Sequence, residues 1–174
     1  LAYNGIVFPE RDGTEIKRLQ HGVIPNLRYV PVFLTTGADD ARCNPDTFQF
    51  AANEFKKLRG EKADEYECEL TWHKDGIHMM EKGEPQASYA KVLSRKRKAT
   101  PRSLTWEASV APPPAGEGRI LQRDFYWLRC EAPAEKMQIN AECLEHSIQL
   151  KVDRHEPKGF SIFLTKGMVD VEED

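Results

Sequence analysis

Three groups of residues in this chain have types and spacing that suit chemistry: a cationic run, two histidines around a turn dipeptide, and four cysteines. Lys91, Arg95, Lys96, Arg97, Lys98 and Arg102 fall within twelve residues, between Tyr89 and Trp106. Cations at that density suit electrostatic steering and contacts to phosphates, sulfates or carboxylates. The arginines add a planar fork that matches a carboxylate or phosphate bidentately. Residues 95–98 also have the composition of a short nuclear-localisation cluster. The structural alternative is a solvated loop or hairpin whose charge discourages strand pairing at an edge.

His73 and His78 flank Asp75-Gly76. Taken as a two-residue hairpin loop, that dipeptide pairs 66–73 with 77–81. The register then sets His73 opposite His78, Trp72 opposite Met79 and Glu69 opposite Lys82, with Leu70, Trp72 and Met79 on a core face. Two imidazoles side by side are the start of a zinc or copper site and make His73 and His78 the metal-ligand candidates. A third ligand is missing, because Asp75 sits in the turn and Glu69 lies further down the face. Histidines on an exposed hairpin face are more simply solvated, so no metal or cofactor is assigned.

Cys43, Cys68, Cys130 and Cys143 are widely spaced, with neither a C-x-x-C pair nor a matched histidine pair, which argues against structural zinc. A thiolate nucleophile needs a base nearby. Cys68 and His73 have opposite parity on one strand and so opposite faces. Cys143 reaches His146 only through a turn. Four cysteines permit two disulfides in three connectivities, or four reduced thiols packed as small hydrophobes. The compartment follows that choice: extracellular if bonded, cytoplasmic or nuclear if reduced. No Gly-rich loop opens a helix, no G-x-S-x-G elbow occurs, and no acid–base carboxylate pair stands out. The expectation is therefore a chain that is not an enzyme.

The elements that must position these groups read as mainly β. With 174 residues and a net charge of −3, the chain is expected to form one domain, 1–174. No apolar run approaches the roughly 18 residues of a membrane span. Because it opens on Leu1, the chain reads as a piece excised or processed out of a longer one. A helix is predicted over 47–59, with Asp46 as N-cap and Gln49 in the capping-box position. Phe48, Ala51, Ala52, Phe55 and Leu58 form its apolar face. Lys56, Lys57 and Arg59 suit its C-terminal dipole, and Gly60 its stop. Further strands are predicted over 27–35 (an edge or bulge at Pro31), 103–110, 119–131, 147–152, 160–165 and 168–171. Residues 111–118 read as a Pro/Gly loop and 170–174 as an acidic, frayed end. The fold class expected is a β-rich α+β protein: an antiparallel sandwich or curved sheet with one amphipathic helix, rather than parallel β–α–β units.

The aromatic stretch Phe125, Tyr126, Trp127, Leu128, Arg129 closes on Cys130, and after a gap of twelve residues Cys143 opens the next alternating strand. This layout resembles the junction between successive ZP-N modules of egg-coat proteins. The resemblance implies an Ig-like sandwich acting in polymerisation or gamete recognition, with Cys43 and Cys68 as the inner disulfide pair. It covers 43–152. The chain departs from the pattern in lacking a cysteine some thirty residues before Cys43.

These observations converge on a non-catalytic recognition module that binds a protein or polyanionic partner through Lys91, Arg95, Lys96, Arg97, Lys98 and Arg102. The alternatives are a nucleic-acid-binding domain that adds Trp106 or Tyr89 as a stacking surface, a secreted ZP-N-like module, and a metal-dependent enzyme using His73 and His78.

Overall fold

The computed structural model of the chain describes residues 9–19, 24–74, 76, 90–108, 110–111, 120–153, 155–156, 158–165 and 168. It is strand-rich, with several antiparallel sheets and one main helix, as a mainly β α+β protein should be. Contacts divide the chain into two compact units: Leu1–Gln20 with Leu27–Arg97, and His21–Asn26 with Lys98–Asp174.

The first unit opens with a hairpin. Strand β1 (Pro9–Asp12) pairs antiparallel with β2 (Glu15–Leu19), Asp12 opposite Glu15. Gly13 enters the two-residue turn at a φ of +60°, where a side chain would be strained. Strand β3 (Val32–Gly37), helix α1 (Pro45–Arg59) and β4 (Cys68–His73) then form a β–α–β unit. The strands β3 and β4 run parallel, with Leu34 opposite Leu70 and Gly37 opposite His73. Parallel β–α–β units were not expected, and helix α1 creates this one. Pro31 lacks an N–H, so the strand predicted over 27–35 begins only at Val32, after a 3-10 turn at Pro25–Leu27.

The helix begins two residues earlier than predicted. Asn44, not Asp46, is the N-cap: its side chain accepts from the Asp46 N–H at 2.8 Å, and Pro45 takes the first turn. Gln49 donates to Asn53 rather than closing a capping box. Gly60 stops the helix as predicted, its N–H bonded to the Lys56 carbonyl. Phe48, Ala51 and Phe55 are buried where α1 packs on β2, β3 and β4, but Leu58 stays 39% exposed.

The second unit contains a contiguous core. Strands β5 (Ser103–Glu107), β10 (Gln138–Cys143) and β11 (Ile148–Asp153) form an antiparallel sheet in the order β11-β10-β5. Ile139 lies opposite Trp106 and Val152, and Ala141 opposite Leu104 and Leu150. These residues share one face, and the small Ala141 makes room beside the large Trp106. Leu128, Met137 and Cys130 complete a core in which Trp106 is 0% exposed.

Strands β6 (Val110–Ala111) and β7 (Ile120–Leu121) pair with each other, and β8 (Asp124–Phe125), β9 (Leu128–Cys130) and β12 (Phe160–Ile162) form a three-stranded sheet. The single strand predicted over 119–131 is thus three short ones. Phe125 pairs with Leu128 across a two-residue turn in which Tyr126 takes a φ of +55°. That turn buries Trp127, whose Nε1 donates to the Pro101 carbonyl at 2.7 Å. Burying the indole with its N–H satisfied offsets the cost of a non-glycine left-handed residue. Residues 112–118 of the predicted loop 111–118, residues 169–171 of the strand predicted over 168–171, and the end 170–174 lie outside the described residues; Met168 itself is buried.

Candidate functional site

The cationic run begins inside the first unit, which ends at Arg97. Residues 90–93 form a helical turn, with the Ser94 N–H bonded to the Ala90 carbonyl. From this turn Lys91 reaches Glu69 and Arg95 reaches Glu67 at 3.0 Å, both carboxylates on the β4 segment. These are partly exposed pairs, each worth about 1 kcal/mol or less. Their effect is positional: they tie the start of the run to β4. Residues 96–98 then continue in no regular structure, every side chain exposed.

The remaining residues, from Lys98 on, belong to the second unit. Pro101 is buried and its carbonyl accepts from Trp127. The Arg102 carbonyl accepts from the Cys143 N–H at 2.6 Å, and its guanidinium donates back to the Cys143 carbonyl at 3.3 Å. Of the six predicted binding residues, Lys91, Arg95 and Arg102 have the partners just described, and Lys96, Arg97 and Lys98 are exposed. Sequence alone does not separate these roles, because the pairing acids Glu67 and Glu69 are more than twenty residues away.

Trp106, a stacking surface in the nucleic-acid reading, is fully buried in the second unit's core and has no face to offer a base. Tyr89 lies outside the described residues, as do His78 and the second arm of the predicted Asp75-Gly76 hairpin. Within the first unit His73 lies 2.9 Å from the Thr35 hydroxyl across the parallel pair. Leu70, expected on a core face, is half-buried, but Trp72 on the same face is 42% exposed. Among the described residues, no group of three or more His, Cys, Asp or Glu is arranged to hold a metal ion.

All four cysteines are free thiols, so the Cys43–Cys68 bond implied by the egg-coat resemblance is not formed here. Burial, reinforced by the Glu69 charge, pushes the Cys68 thiol up to about 11. Burial also raises Cys43, with Asp40 adding to it. Cys130 is raised by burial and by Glu131, against a lowering backbone hydrogen bond at Ala132. Thiols held in this protonated state are poor nucleophiles. Cys143 donates to the Met168 carbonyl at 2.9 Å, a packing role within the core.

Sequence reasoning missed a groove of about 520 Å³ on the first unit, between α1 and β4. The signal was present but divided: the helix residues that face it form the polar stripe of an amphipathic helix, which by itself reads as solvated.

No helix among the described residues is long and apolar enough to cross a membrane. Comparison with family models, curated proteins and solved structures yields no significant match to this chain.

Proposed function

We propose that this chain is a non-catalytic recognition module that binds an acidic segment of a partner protein through residues 95–98. The observation that carries the reading is the way the run is held. Lys91 and Arg95 tie its start to Glu69 and Glu67 within the first unit. Lys96, Arg97 and Lys98 follow that anchor and lie exposed. A cationic stretch anchored at its start loses less chain entropy on binding than a free tail does. Its charges act together as a steering field even though each exposed pair is individually weak.

A protein partner is favoured over nucleic acid because the aromatic surface closest after the run, Trp106, is buried in the core. Without stacking, single-stranded nucleic acid gains only its phosphate contacts. The test is fluorescence anisotropy across a salt series, with a labelled glutamate-rich peptide and a single-stranded RNA of equal charge. The triple variant Lys96→Gln, Arg97→Gln and Lys98→Gln should weaken peptide binding at least tenfold and flatten its salt slope. Peptide binding that is unchanged in the variant overturns the assignment. RNA binding tighter than peptide binding, with a steep salt slope, would favour the nucleic-acid alternative.

A further inference from the structure

The groove on the first unit is built from two regular elements. One wall is a helical stripe of Gln49, Ala52, Asn53, Lys56 and Arg59, residues that recur at three- and four-residue steps. The floor is the outward row of β4, where Cys68, Leu70 and Trp72 alternate onto one face behind Tyr66. The row opposite on β3 includes Leu34 and Thr36, which are buried, so the helix seals β3 and leaves β4 half-open. In a β–α–β crossover the helix runs back against its strands. Arg59 and Tyr66 therefore share one end of the groove, and Gln49 and Trp72 the other. The stripe from Gln49 to Arg59 is about 15 Å long at the α-helical rise.

Its chemistry is graded along that length. The Trp72 end is apolar, with an indole 42% exposed beside the half-buried Leu70. From that end toward the middle Gln49 donates to Asn53 at 3.0 Å, which leaves the Asn53 Nδ2 and the Gln49 Oε1 for another partner. Lys56 and Arg59 supply positive charge at the far end, and among the described residues no carboxylate lines the groove. Arg59 spends one N–H on the Ala63 carbonyl, and Lys56 has no ion-pair partner among the described residues. A volume near 520 Å³ falls within the roughly 300–1,000 Å³ of small-ligand sites.

The geometry points to this groove as a binding site for a short extended peptide of a partner protein, with an apolar side chain on Trp72 and Leu70 and a carboxylate at Lys56 and Arg59. At about 3.3 Å per extended residue, the groove spans four to five residues. The amide pair on the helix wall selects a peptide over a fatty-acid-like amphiphile. A hydrocarbon tail there would cover Gln49 and Asn53 without replacing their hydrogen bonds to water, whereas a peptide backbone supplies both a donor and an acceptor. The protonated Cys68 on the floor adds no charge and no nucleophile, in keeping with binding rather than turnover. This site is separate from the run 95–98 and does not depend on that assignment.

The experiment exploits the burial of the other tryptophans. Trp106 and Trp127 are buried, so acrylamide quenching reports on Trp72. The full chain is titrated with a blocked hexapeptide carrying leucine at one end and two glutamates at the other. Its glutamine counterpart and dodecanoate are titrated in parallel. Saturable protection of Trp72 by the acidic peptide is expected, weakened at least tenfold by the glutamine substitutions and by Lys56→Glu. The Lys96→Gln, Arg97→Gln and Lys98→Gln variant should bind it as the parent does, which separates the two sites. Trp72→Ala, with circular dichroism confirming its fold, should abolish binding measured by calorimetry. No saturable binding at millimolar peptide, or binding indifferent to Lys56→Glu, overturns the proposal. Protection by dodecanoate equal to that by the peptide overturns it in favour of an amphiphile site. Light scattering that shows self-association lost in Trp72→Ala overturns it in favour of a second copy.

Discussion

The Asn26 side chain sits on the edge of β5 as though it were a residue of a neighbouring strand. Its Nδ2 donates to the Glu107 carbonyl at 2.9 Å, and its Oδ1 accepts from the Glu107 N–H at 2.6 Å. A carboxamide has the donor–acceptor layout of a peptide group, so one side chain satisfies the groups an edge strand leaves open. Asn26→Ala should cost about 1–3 kcal/mol, because Glu107 is buried and both its backbone groups would lose partners. Asn26→Asp should be no milder, since it sets a carboxylate against the Glu107 carbonyl. Urea denaturation of both variants measures the loss.

Arg28 and Glu65 form the most enclosed ion pair among the described residues, at 2.6 Å with only 14% and 10% of their side chains exposed. Arg28→Met would leave the buried Glu65 carboxylate only Lys62 and the Tyr29 hydroxyl, each at 3.4 Å, and should destabilise the chain by about 3 kcal/mol, whereas Arg28→Met with Glu65→Met should recover much of that. A thermal-melt double-mutant cycle distinguishes the two.

The same pair sets an acid limit on stability. Burial pushes the Glu65 carboxyl up, but the Arg28 hydrogen bond and the charges of Arg28 and Lys62 outweigh it and hold the group below its ordinary value. A carboxyl lowered by folding contributes stability that is complete above its unfolded value, about 4.3, and is lost as pH falls through the lower folded value. Denaturation midpoints should therefore fall with pH below that point. The fall should be shallower in Glu65→Gln, and an identical acid slope in that variant would contradict the assignment.

Gly37 at the end of β3 meets Gly76 just past β4 so closely that a Cβ on Gly37 would stand 1.9 Å from the Gly76 carbonyl oxygen. That carbonyl accepts from the Asp39 N–H at 3.2 Å, so the contact also joins the two strand ends. Gly37→Ala forces backbone apart and should cost about 1–3 kcal/mol. Gly60→Ala serves as a contrast: nothing lies within 4 Å of its Cβ, and only its φ of +52° opposes the change. Thermal melts should rank Gly37→Ala as the more damaging.

Thiol chemistry provides a fifth check. Under denaturing, non-reducing conditions all four cysteines should titrate as free thiols, and two disulfides there would restore the egg-coat reading. In the folded chain Cys68, with its thiol pushed up to about 11, should alkylate at pH 8 on the order of a hundredfold more slowly than an unperturbed cysteine. Its rate should still be climbing at pH 10. Iodoacetamide labelling followed by peptide mass mapping reads this site by site.

Local signals were legible where a few adjacent residues suffice. Helix α1 and its stop at Gly60 follow from apolar spacing and one glycine, and β11 from simple alternation. Strand β10 was equally available and overlooked: Met137, Ile139, Ala141 and Cys143 are buried, and the residues between them are not. Its small apolar residues made the alternation faint. The β1–β2 hairpin was also missed, although Asp12-Gly13 is the same dipeptide as Asp75-Gly76.

Those two Asp-Gly pairs mark the division. By itself the sequence determined a β-rich chain with one capped helix, and it located the cations at 95–98. Only tertiary structure decided that Gly13 turns a hairpin, that Gly76 packs against Gly37, that β4 lies parallel to β3, and that Glu67 and Glu69 take Arg95 and Lys91; the second arm predicted after Asp75-Gly76 lies outside the described residues. A turn or helix end depends on the dihedral freedom of one or two residues, which their identities state directly. Strand partners, ion pairs and the groove beside Trp72 depend on which distant surfaces exclude water together, and no window of neighbouring residues contains that information.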